Sequence, residues 1–257
     1  MSQSLLQERV LILAGGLGTR LRSLLPDWPK VLAPIAGRPF LDILIAQLVA
    51  RGVRRIVLLL GDRADQVVEH VENPRASWPT DLEVDFSVET EPLGTGGALK
   101  LAERFCKDRF LLMNGDTYFD LDVAALFRTH GRARALLTVA AATVADAGRY
   151  GRLEISADGF VDRFREKEMP ARPGIINAGV YLMEPAVLAH IPAGRAVSME
   201  GEVFPALLAG GHKIAVSAQS GAFFDIGTPP SYQSFVEFCQ QQDLLRASEA
   251  GTNHDEH

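Results

Sequence analysis

A glycine-rich loop followed by two cations is the stretch of this chain best suited to chemistry. Gly15, Gly16 and Gly18 come directly after an apolar run, and Arg20 and Lys30 follow them. Because glycine lacks a Cβ atom, the amide N–H groups of such a loop can approach an anion closely. An arginine and a lysine nearby add positive charge that suits a polyanion. The loop therefore predicts phosphate binding.

Neither of the two common phosphate-loop motifs is present. The pattern G-x-x-x-x-G-K-[ST] is absent, and Leu21 stands where a dinucleotide-binding loop would carry its third glycine. This argues against a P-loop NTPase and against an NAD enzyme. A tight strand-to-helix turn with solvated cations is the simpler alternative. It would explain the glycines alone, but it explains Arg20, Lys30 and the acids found later in the chain less well.

Asp116 is the second candidate for chemistry, since it follows the apolar run of residues 110–113. Ligands of α/β proteins bind at the carboxyl ends of the strands, which is where this run would deliver the carboxylate. A turn or helix N-cap role is the alternative for Asp116 taken by itself.

Alternating strand and helix patterns must position these residues. Apolar runs predict strands at 10–14, 56–60, 83–88 and 110–113, and helical spacing predicts helices at 40–51, 61–70, 95–105 and 123–130. This order predicts an α/β fold with a doubly wound, mostly parallel, Rossmann-like sheet. Strand patterns at 136–144, 151–155, 160–164 and 179–183, with little helix between them, predict a smaller mixed sheet packed on the first.

Composition narrows the function classes further. The chain has 257 residues, 47% of them hydrophobic, and a net charge of −6. An acidic chain without a clustered basic face argues against a nucleic-acid partner. The two cysteines lie far apart, which suits a reducing compartment. The start of the chain is polar and no apolar stretch is long enough to span a bilayer, so we expect no membrane partner and a cytoplasmic location.

A family resemblance rests on an ordered set of motifs: the run of residues 15–21 (GGLGTRL), then Pro29-Lys30, Pro34, Gly37 and Pro39. This set resembles the signature of the sugar-phosphate nucleotidylyltransferases, also called NDP-sugar pyrophosphorylases. Within that family the chain is most similar to the short guanylyltransferases that act on D-glycero-D-manno-heptose 1-phosphate. The resemblance covers about residues 9–235 and implies a sheet of the nucleotide-diphospho-sugar transferase type.

The resemblance also implies a reaction and a set of residues. An NTP and a sugar 1-phosphate would give an NDP-sugar and pyrophosphate, with Arg20, Lys30 and Asp116 as catalytic residues. The cofactor would be Mg²⁺, bound by Asp116 and Asp225. The nucleotide would contact Leu13, Ala14, Gly15, Gly16, Gly18, Thr19, Glu91, Gly94, Thr95 and Gly96. The sugar phosphate would contact Tyr150, Gly151, Glu166, Lys167, Asn177 and Gly179.

The motifs indicate the nucleobase of the NTP and the sugar of the sugar 1-phosphate less specifically than they indicate the reaction. A carboxylate at Glu91 can accept hydrogen bonds from guanine N1–H and N2–H₂, which favours GTP. A uridylyltransferase or cytidylyltransferase for another sugar phosphate, such as N-acetylmuramate 1-phosphate, is an alternative. So is a catalytically silent subunit that binds a nucleotide sugar. Arg22-Ser23-Leu24 departs from the Pro-Leu-Thr of many relatives.

We predict one nucleotidylyltransferase domain over residues 1–246. It would comprise a nucleotide-binding half at 1–130, a sugar-binding part at 131–228 and a closing helix at 229–246, followed by a flexible tail at 247–257. A homo-oligomer is compatible with these patterns.

Overall fold

The computed structural model describes residues 8–73, 78–165 and 172–252, with side chains described only as far as residue 242 in the last stretch. Its α-helices are α1 (Phe40–Ala50), α2 (Ala64–Glu72), α3 (Gly94–Leu101), α4 (Val123–Ala133), α5 (Phe204–Ala209) and α6 (Pro229–Thr252). Its strands are β1 (Arg9–Leu13), β2 (Pro34–Ile35), β3 (Arg38–Pro39), β4 (Arg55–Leu60), β5 (Glu83–Val88), β6 (Phe110–Asn114), β7 (Thr117–Phe119), β8 (Leu137–Val144), β9 (Arg152–Ile155), β10 (Val161–Arg165), β11 (Gly174–Met183), β12 (Ile214–Gln219) and β13 (Phe223–Asp225). Short helical turns lie at Lys30–Leu32, Glu103–Phe105, Pro185–His190 and Met199–Val203.

The first half of the chain forms the parallel part of the sheet, in the order β6-β1-β4-β5. Val10 and Ile12 of β1 face α1 and α2, whereas Leu11 faces α3 on the other side of the sheet. Helices on both faces explain why β1 reads as a continuous apolar run. In register, β6, β1 and β4 end at the same edge of the sheet.

The expectation of a separate second sheet is wrong, because the strands of the second half extend the first sheet. β11 is 10 residues long and pairs antiparallel with β6 through residues 180–183 and with β8 on its other side. β12 adds parallel to β8, and the β9-β10 hairpin attaches at Ile176. Within the described residues this makes one nine-stranded sheet. The apolar side chains of residues 180–183 continue the buried surface of β6, so no sheet edge is left open there.

Three elements near the site lack a clear sequence pattern. β7 and β13 are three residues each and pair with one another, too short for any periodicity to show. β12 pairs with a strand 77 residues earlier in register, from Ile214 to Leu137. The closing helix continues past its predicted end to Thr252, and residues 253–257 lie outside the described residues.

Candidate active site

A cleft of about 510 Å³ opens at the carboxyl ends of the parallel strands. This is where α/β sheets bind ligands, because loops diverge from the strand ends there. The cleft is lined by residues 13–18, 30–31, 59, 61–62, 89–92, 94–95, 98 and 114–116. The glycine-rich loop, the turn at residues 89–92 with the start of α3, and the end of β6 therefore meet in one place.

Most of the predicted nucleotide contacts lie on this cleft. Those that line it are Leu13, Ala14, Gly15, Gly16, Gly18, Glu91, Gly94 and Thr95. Thr19 and Gly96 are outside the lining. The N–H of Gly96 donates to the Val197 carbonyl at 2.8 Å. This amide therefore holds the start of α3 against Val197 and is not free to bind the edge of a nucleobase.

Gly18 holds the shape of the first loop. Its φ of +60° is left-handed, a conformation that glycine adopts without strain. A Cβ atom at Gly18 would lie 3.1 Å from Lys30 Cβ. The loop therefore passes directly over the lysine that the sequence places ten residues after Arg20.

Lys30 is held at the cleft by its neighbours. It begins a helical turn directly after Pro29, and the next two residues, Val31 and Leu32, are buried. Its side chain is only 14% exposed, and its ammonium forms an ion pair with the Asp116 carboxylate. The predicted catalytic lysine and acid thus contact each other across 86 residues of sequence.

Arg20, Lys30 and Asp225 converge beside Gly227. A Cβ atom at Gly227 would lie 2.7 Å from Asp225 Oδ1, 3.2 Å from Lys30 Nζ and 3.6 Å from an Arg20 guanidinium nitrogen. Gly227 donates its N–H to Asp225 Oδ1 at 2.8 Å, which fixes that carboxylate. The structure therefore brings together the two cations that follow the glycine-rich loop and the carboxylate at the end of β13.

Asp116 and Asp225 stand on neighbouring segments. In the β13-β7 ladder Asp225 pairs with Thr117, and the Ile226 N–H donates to the Asp116 carbonyl at 2.9 Å. Across the described residues, no group of three or more His, Cys, Asp and Glu side chains is arranged to hold a metal ion. Two carboxylates are nevertheless a suitable donor set for Mg²⁺, which is commonly bound by one or two carboxylates with water and phosphate oxygens.

Tyr150 supports Asp225 from the second half of the chain. Burial raises the pKa of Tyr150, and the charge of the Asp225 carboxylate, to which its hydroxyl donates, raises that pKa further. Tyr150 is therefore a neutral donor at physiological pH. It lines a separate hollow of about 330 Å³ with Arg149 and Phe223.

The other predicted sugar contacts are partly described. Gly151 accepts the Asn177 N–H at 3.0 Å, so these two residues are adjacent. Gly179 has a left-handed φ of +68°, and any Cβ atom there would clash with the Asn114 side-chain amide. None of these three lines the main cleft. Glu166 and Lys167 lie outside the described residues.

Three residues that line the cleft, Glu89, Asn114 and Asp62, are not among the site residues predicted from the sequence. Glu89 directly follows β5, accepts the Leu93 N–H at 3.1 Å, and has a pKa raised by burial. Asn114 ends β6, and Asp62 follows β4 and forms an ion pair with Arg22. Asn114 and Asp62 could have been found by the rule that selected Asp116, a polar residue at the carboxyl end of a buried strand, whereas β5 is mostly half-buried and gives a weaker signal for Glu89.

Comparison with known proteins agrees with this geometry. Residues 9–242 match the family described as nucleotidyl transferase. The chain belongs to this family. Its curated relatives and a solved structure confirm the predicted enzyme class, a sugar-1-phosphate nucleotidylyltransferase, and the predicted fold class. In the part of the chain with described structure, no helix combines the length and apolar character needed to cross a membrane.

Two curated relatives cover most of the chain. It is 31% identical over 231 residues to the D-glycero-alpha-D-manno-heptose 1-phosphate guanylyltransferase of Campylobacter jejuni subsp. jejuni serotype O:2, with 89% of this chain and 98% of that protein aligned. It is 36% identical over 228 residues to the mannose-1-phosphate guanylyltransferase of Mycobacterium tuberculosis. That alignment covers 88% of this chain but only 63% of the longer relative.

A solved structure has the same fold. The crystal structure of HddC from Yersinia pseudotuberculosis complexed with GMP-PN superimposes with a TM-score of 0.80 at 35% identity, covering 90% of this chain and 99% of HddC. The match extends over both halves of the sheet.

Proposed function

We propose that this nucleotidyl transferase moves a guanylyl group from GTP to D-glycero-D-manno-heptose 1-phosphate in a Mg²⁺-dependent reaction, giving a GDP-sugar and pyrophosphate. The observation that carries the proposal is the convergence of Arg20, Lys30 and Asp225 beside Gly227, with Asp116 paired to Lys30. Support for guanine and heptose comes from the Campylobacter relative, which is matched over 98% of its length, and from the GMP-PN held by HddC.

Glu89 is our candidate for reading the guanine base, in the role that the sequence suggested for Glu91. Glu91 is exposed, whereas Glu89 is half-buried on the cleft wall between the glycine-rich loop and Gly61. Glu89 Oε1 packs against both glycines: an added Cβ atom would lie 3.3 Å from it at Gly15 and 2.7 Å from it at Gly61. Oε2 accepts the Leu93 N–H. A carboxylate in this place suits the paired N1–H and N2–H₂ donors of guanine.

The chemistry requires positioning and charge neutralisation more than proton transfer. The attacking phosphate oxygen of a sugar 1-phosphate is already anionic near neutral pH, so no general base is needed. Arg20 and the loop amides would bind the triphosphate, and Lys30 would neutralise the charge that develops at the α-phosphate. Tyr150 would hold the Asp225 carboxylate in place.

Asp116 and Asp225 are the residues that would bind Mg²⁺. When bound, the ion would supply Lewis-acid charge neutralisation and a template for phosphate oxygens.

A substrate matrix tests the proposal. Each of the four NTPs is combined with heptose, mannose and N-acetylmuramate 1-phosphates in the presence of Mg²⁺, and pyrophosphate release is measured. We expect the fastest release with GTP and the heptose phosphate. Activity confined to UTP or CTP would reject the guanine assignment, and no release with any pair would favour the silent nucleotide-sugar-binding subunit.

A further inference from the structure

Glu200 occupies an unusual position for a carboxylate. It lies in the π-helical turn Met199–Val203, a form of helix that often marks functional sites. It is half-buried, and within the described part of the chain no Lys or Arg side chain forms an ion pair with it. Its two oxygens accept hydrogen bonds from hydroxyl groups on opposite sides.

One carboxylate oxygen of Glu200 is bound to Thr95, at the start of α3. Thr95, which lines the nucleotide cleft, donates its hydroxyl to Glu200 Oε2 at 3.3 Å and accepts the Met199 N–H at 2.8 Å. Two backbone bonds reinforce this contact, from Val197 N–H to the Leu93 carbonyl and from Gly96 N–H to the Val197 carbonyl, both 2.8 Å. Segment 197–200 is therefore joined to residues 93–96, at the start of α3, by side-chain and main-chain hydrogen bonds.

The other oxygen is bound to the sugar-side strand. Tyr181 is fully buried and donates its hydroxyl to Glu200 Oε1 at 2.8 Å. The Asn177 side-chain amide donates to Tyr181 Oη at 2.8 Å, and Asn177 Oδ1 accepts the Gly179 N–H at 2.9 Å. The chain of bonds thus ends in the β11 bulge, where Gly179 packs against Asn114.

We propose that Glu200 is a positioning residue that couples nucleotide binding to sugar-phosphate binding, by joining residues 93–96 at the start of α3 to the β11 bulge at 177–179. Tyr181 is fully buried and the other three members, Thr95, Asn177 and Glu200, are half-buried. A chain of hydrogen bonds with every member satisfied favours a single arrangement of the groups at its two ends. Ordering one end by a ligand therefore lowers the cost of ordering the other, which is coupling between the two sites. The inference rests on the function proposed above.

Two variants break the chain of bonds at either end. Tyr181→Phe removes the sugar-side donor while its ring stays in the core, and we expect it to raise the KM for GTP. Thr95→Val removes the base-side donor, and we expect it to raise the KM for the sugar 1-phosphate. In each case the affected substrate is the one that binds at the other end of the chain of hydrogen bonds. Its KM should rise at least about fivefold, the lower end of typical coupling between sites.

Glu200 itself is tested with a rescue and a matched control. Glu200→Ala should raise both KM values, and Glu200→Gln should restore most of the loss because its amide can still bond both hydroxyls. Glu202 lies in the same helical turn but bonds the Ser198 N–H and Arg195 on the surface, so Glu202→Ala should leave both KM values unchanged. A purely structural role for Glu200 would lower the Tm and the active fraction without moving KM.

The inference is overturned if Glu200→Ala, Tyr181→Phe and Thr95→Val lower only the Tm. It is also overturned if Tyr181→Phe raises only the KM for the sugar 1-phosphate and Thr95→Val raises only the KM for GTP. Failure of the proposed function appears separately, as wild-type protein that releases no pyrophosphate with any substrate pair. In that case calorimetry with GTP alone decides the inference: weaker GTP binding by Tyr181→Phe supports it, and unchanged affinity or no wild-type binding rejects it.

Discussion

The Lys30–Asp116 pair places a positive charge where a triphosphate would lie. The lysine side chain is mostly buried and its position is set by the buried Val31 and Leu32 that follow it. Such a charge is oriented before the substrate arrives, so it needs no reorganisation in the transition state.

Lys30→Ala should therefore lower kcat for pyrophosphate release by at least about a hundredfold, the usual effect of removing one preorganised charge-stabilising group. Asp116→Ala should have a similar effect. Lys107 is exposed on the surface away from the cleft, and Lys107→Ala is the matched control, with unchanged kcat expected. Near-normal turnover of Lys30→Ala would refute the catalytic role of this lysine.

Glu89 gives opposite predictions for stability and for binding. Burial raises its pKa from the ordinary value of 4.5, so the folded state disfavours its charged form. That cost is absent below the unfolded-state pKa and is fully present once the pH exceeds the raised folded-state pKa. Glu89→Gln should therefore raise the Tm at neutral pH, and the gain should vanish as the pH falls through the acid range.

The same variant should bind GTP at least about tenfold more weakly, since hydrogen bonds to a charged group contribute on the order of 1.5–3 kcal/mol. Isothermal calorimetry measures the affinity, and thermal unfolding at several pH values measures the stability. Glu91→Gln is the matched control and should change neither, because Glu91 is exposed. A larger loss of affinity in Glu91→Gln than in Glu89→Gln would restore the assignment made from the sequence.

The β11 bulge joins the proposed sugar-phosphate contacts to the cleft. Its register shifts between Asn177 and Val180, and Gly179 has the left-handed φ that the shift requires. The missing side chain of Gly179 lets the Asn114 amide, at the end of β6, pack directly on the bulge.

Gly179→Ala should destabilise the fold by more than the roughly 1–2 kcal/mol of a left-handed alanine, since the new methyl group also displaces Asn114. It should also lower activity, because Asn114 lines the cleft. Gly159 has a φ of +82° with no atom within 4 Å of its Cβ position, so Gly159→Ala isolates the backbone cost. Denaturant unfolding compares the two variants, and equal losses with full activity in both would contradict this account.

Strand ends explain both the successes and the failures of the sequence analysis. Asp116 was found because a run of buried residues delivers it to the sheet edge, whereas Glu89 was overlooked because β5 is only partly buried and alternates polar and apolar residues. Asp225 was assigned only through the family resemblance, because the three-residue strand β13 carries no periodic signal and pairs with β7, more than a hundred residues earlier. The link from Thr95 to Glu200 was invisible for the same reason, since it spans 105 residues and depends on a π-helical turn.

At the scale of the whole molecule, one sheet carries both of the proposed substrate regions. Residues on its two faces form two apolar clusters, and each cluster contains residues from both halves of the chain. The two halves of the chain therefore share a core. Asp116 belongs to the first half and Asp225 to the segment that leads into α6, so any ligand bound by both connects distant parts of the sequence.

GTP bound with Mg²⁺ should consequently stabilise the entire fold. A ligand at 100 times its Kd contributes about 2.7 kcal/mol, and a domain of this size gains about 2–4 °C in Tm for each kcal/mol, so a rise of about 5–10 °C is expected. EDTA should remove most of the rise, because two carboxylates without the metal ion repel the triphosphate. The Asp225→Asn variant should lose the Mg²⁺-dependent part of the rise in Tm. Asp108 is exposed and does not line the cleft, so the Asp108→Asn variant should keep that part of the rise. An equal rise with and without EDTA would mean that the nucleotide is bound without the metal, and Asp225 would then have no part in holding Mg²⁺.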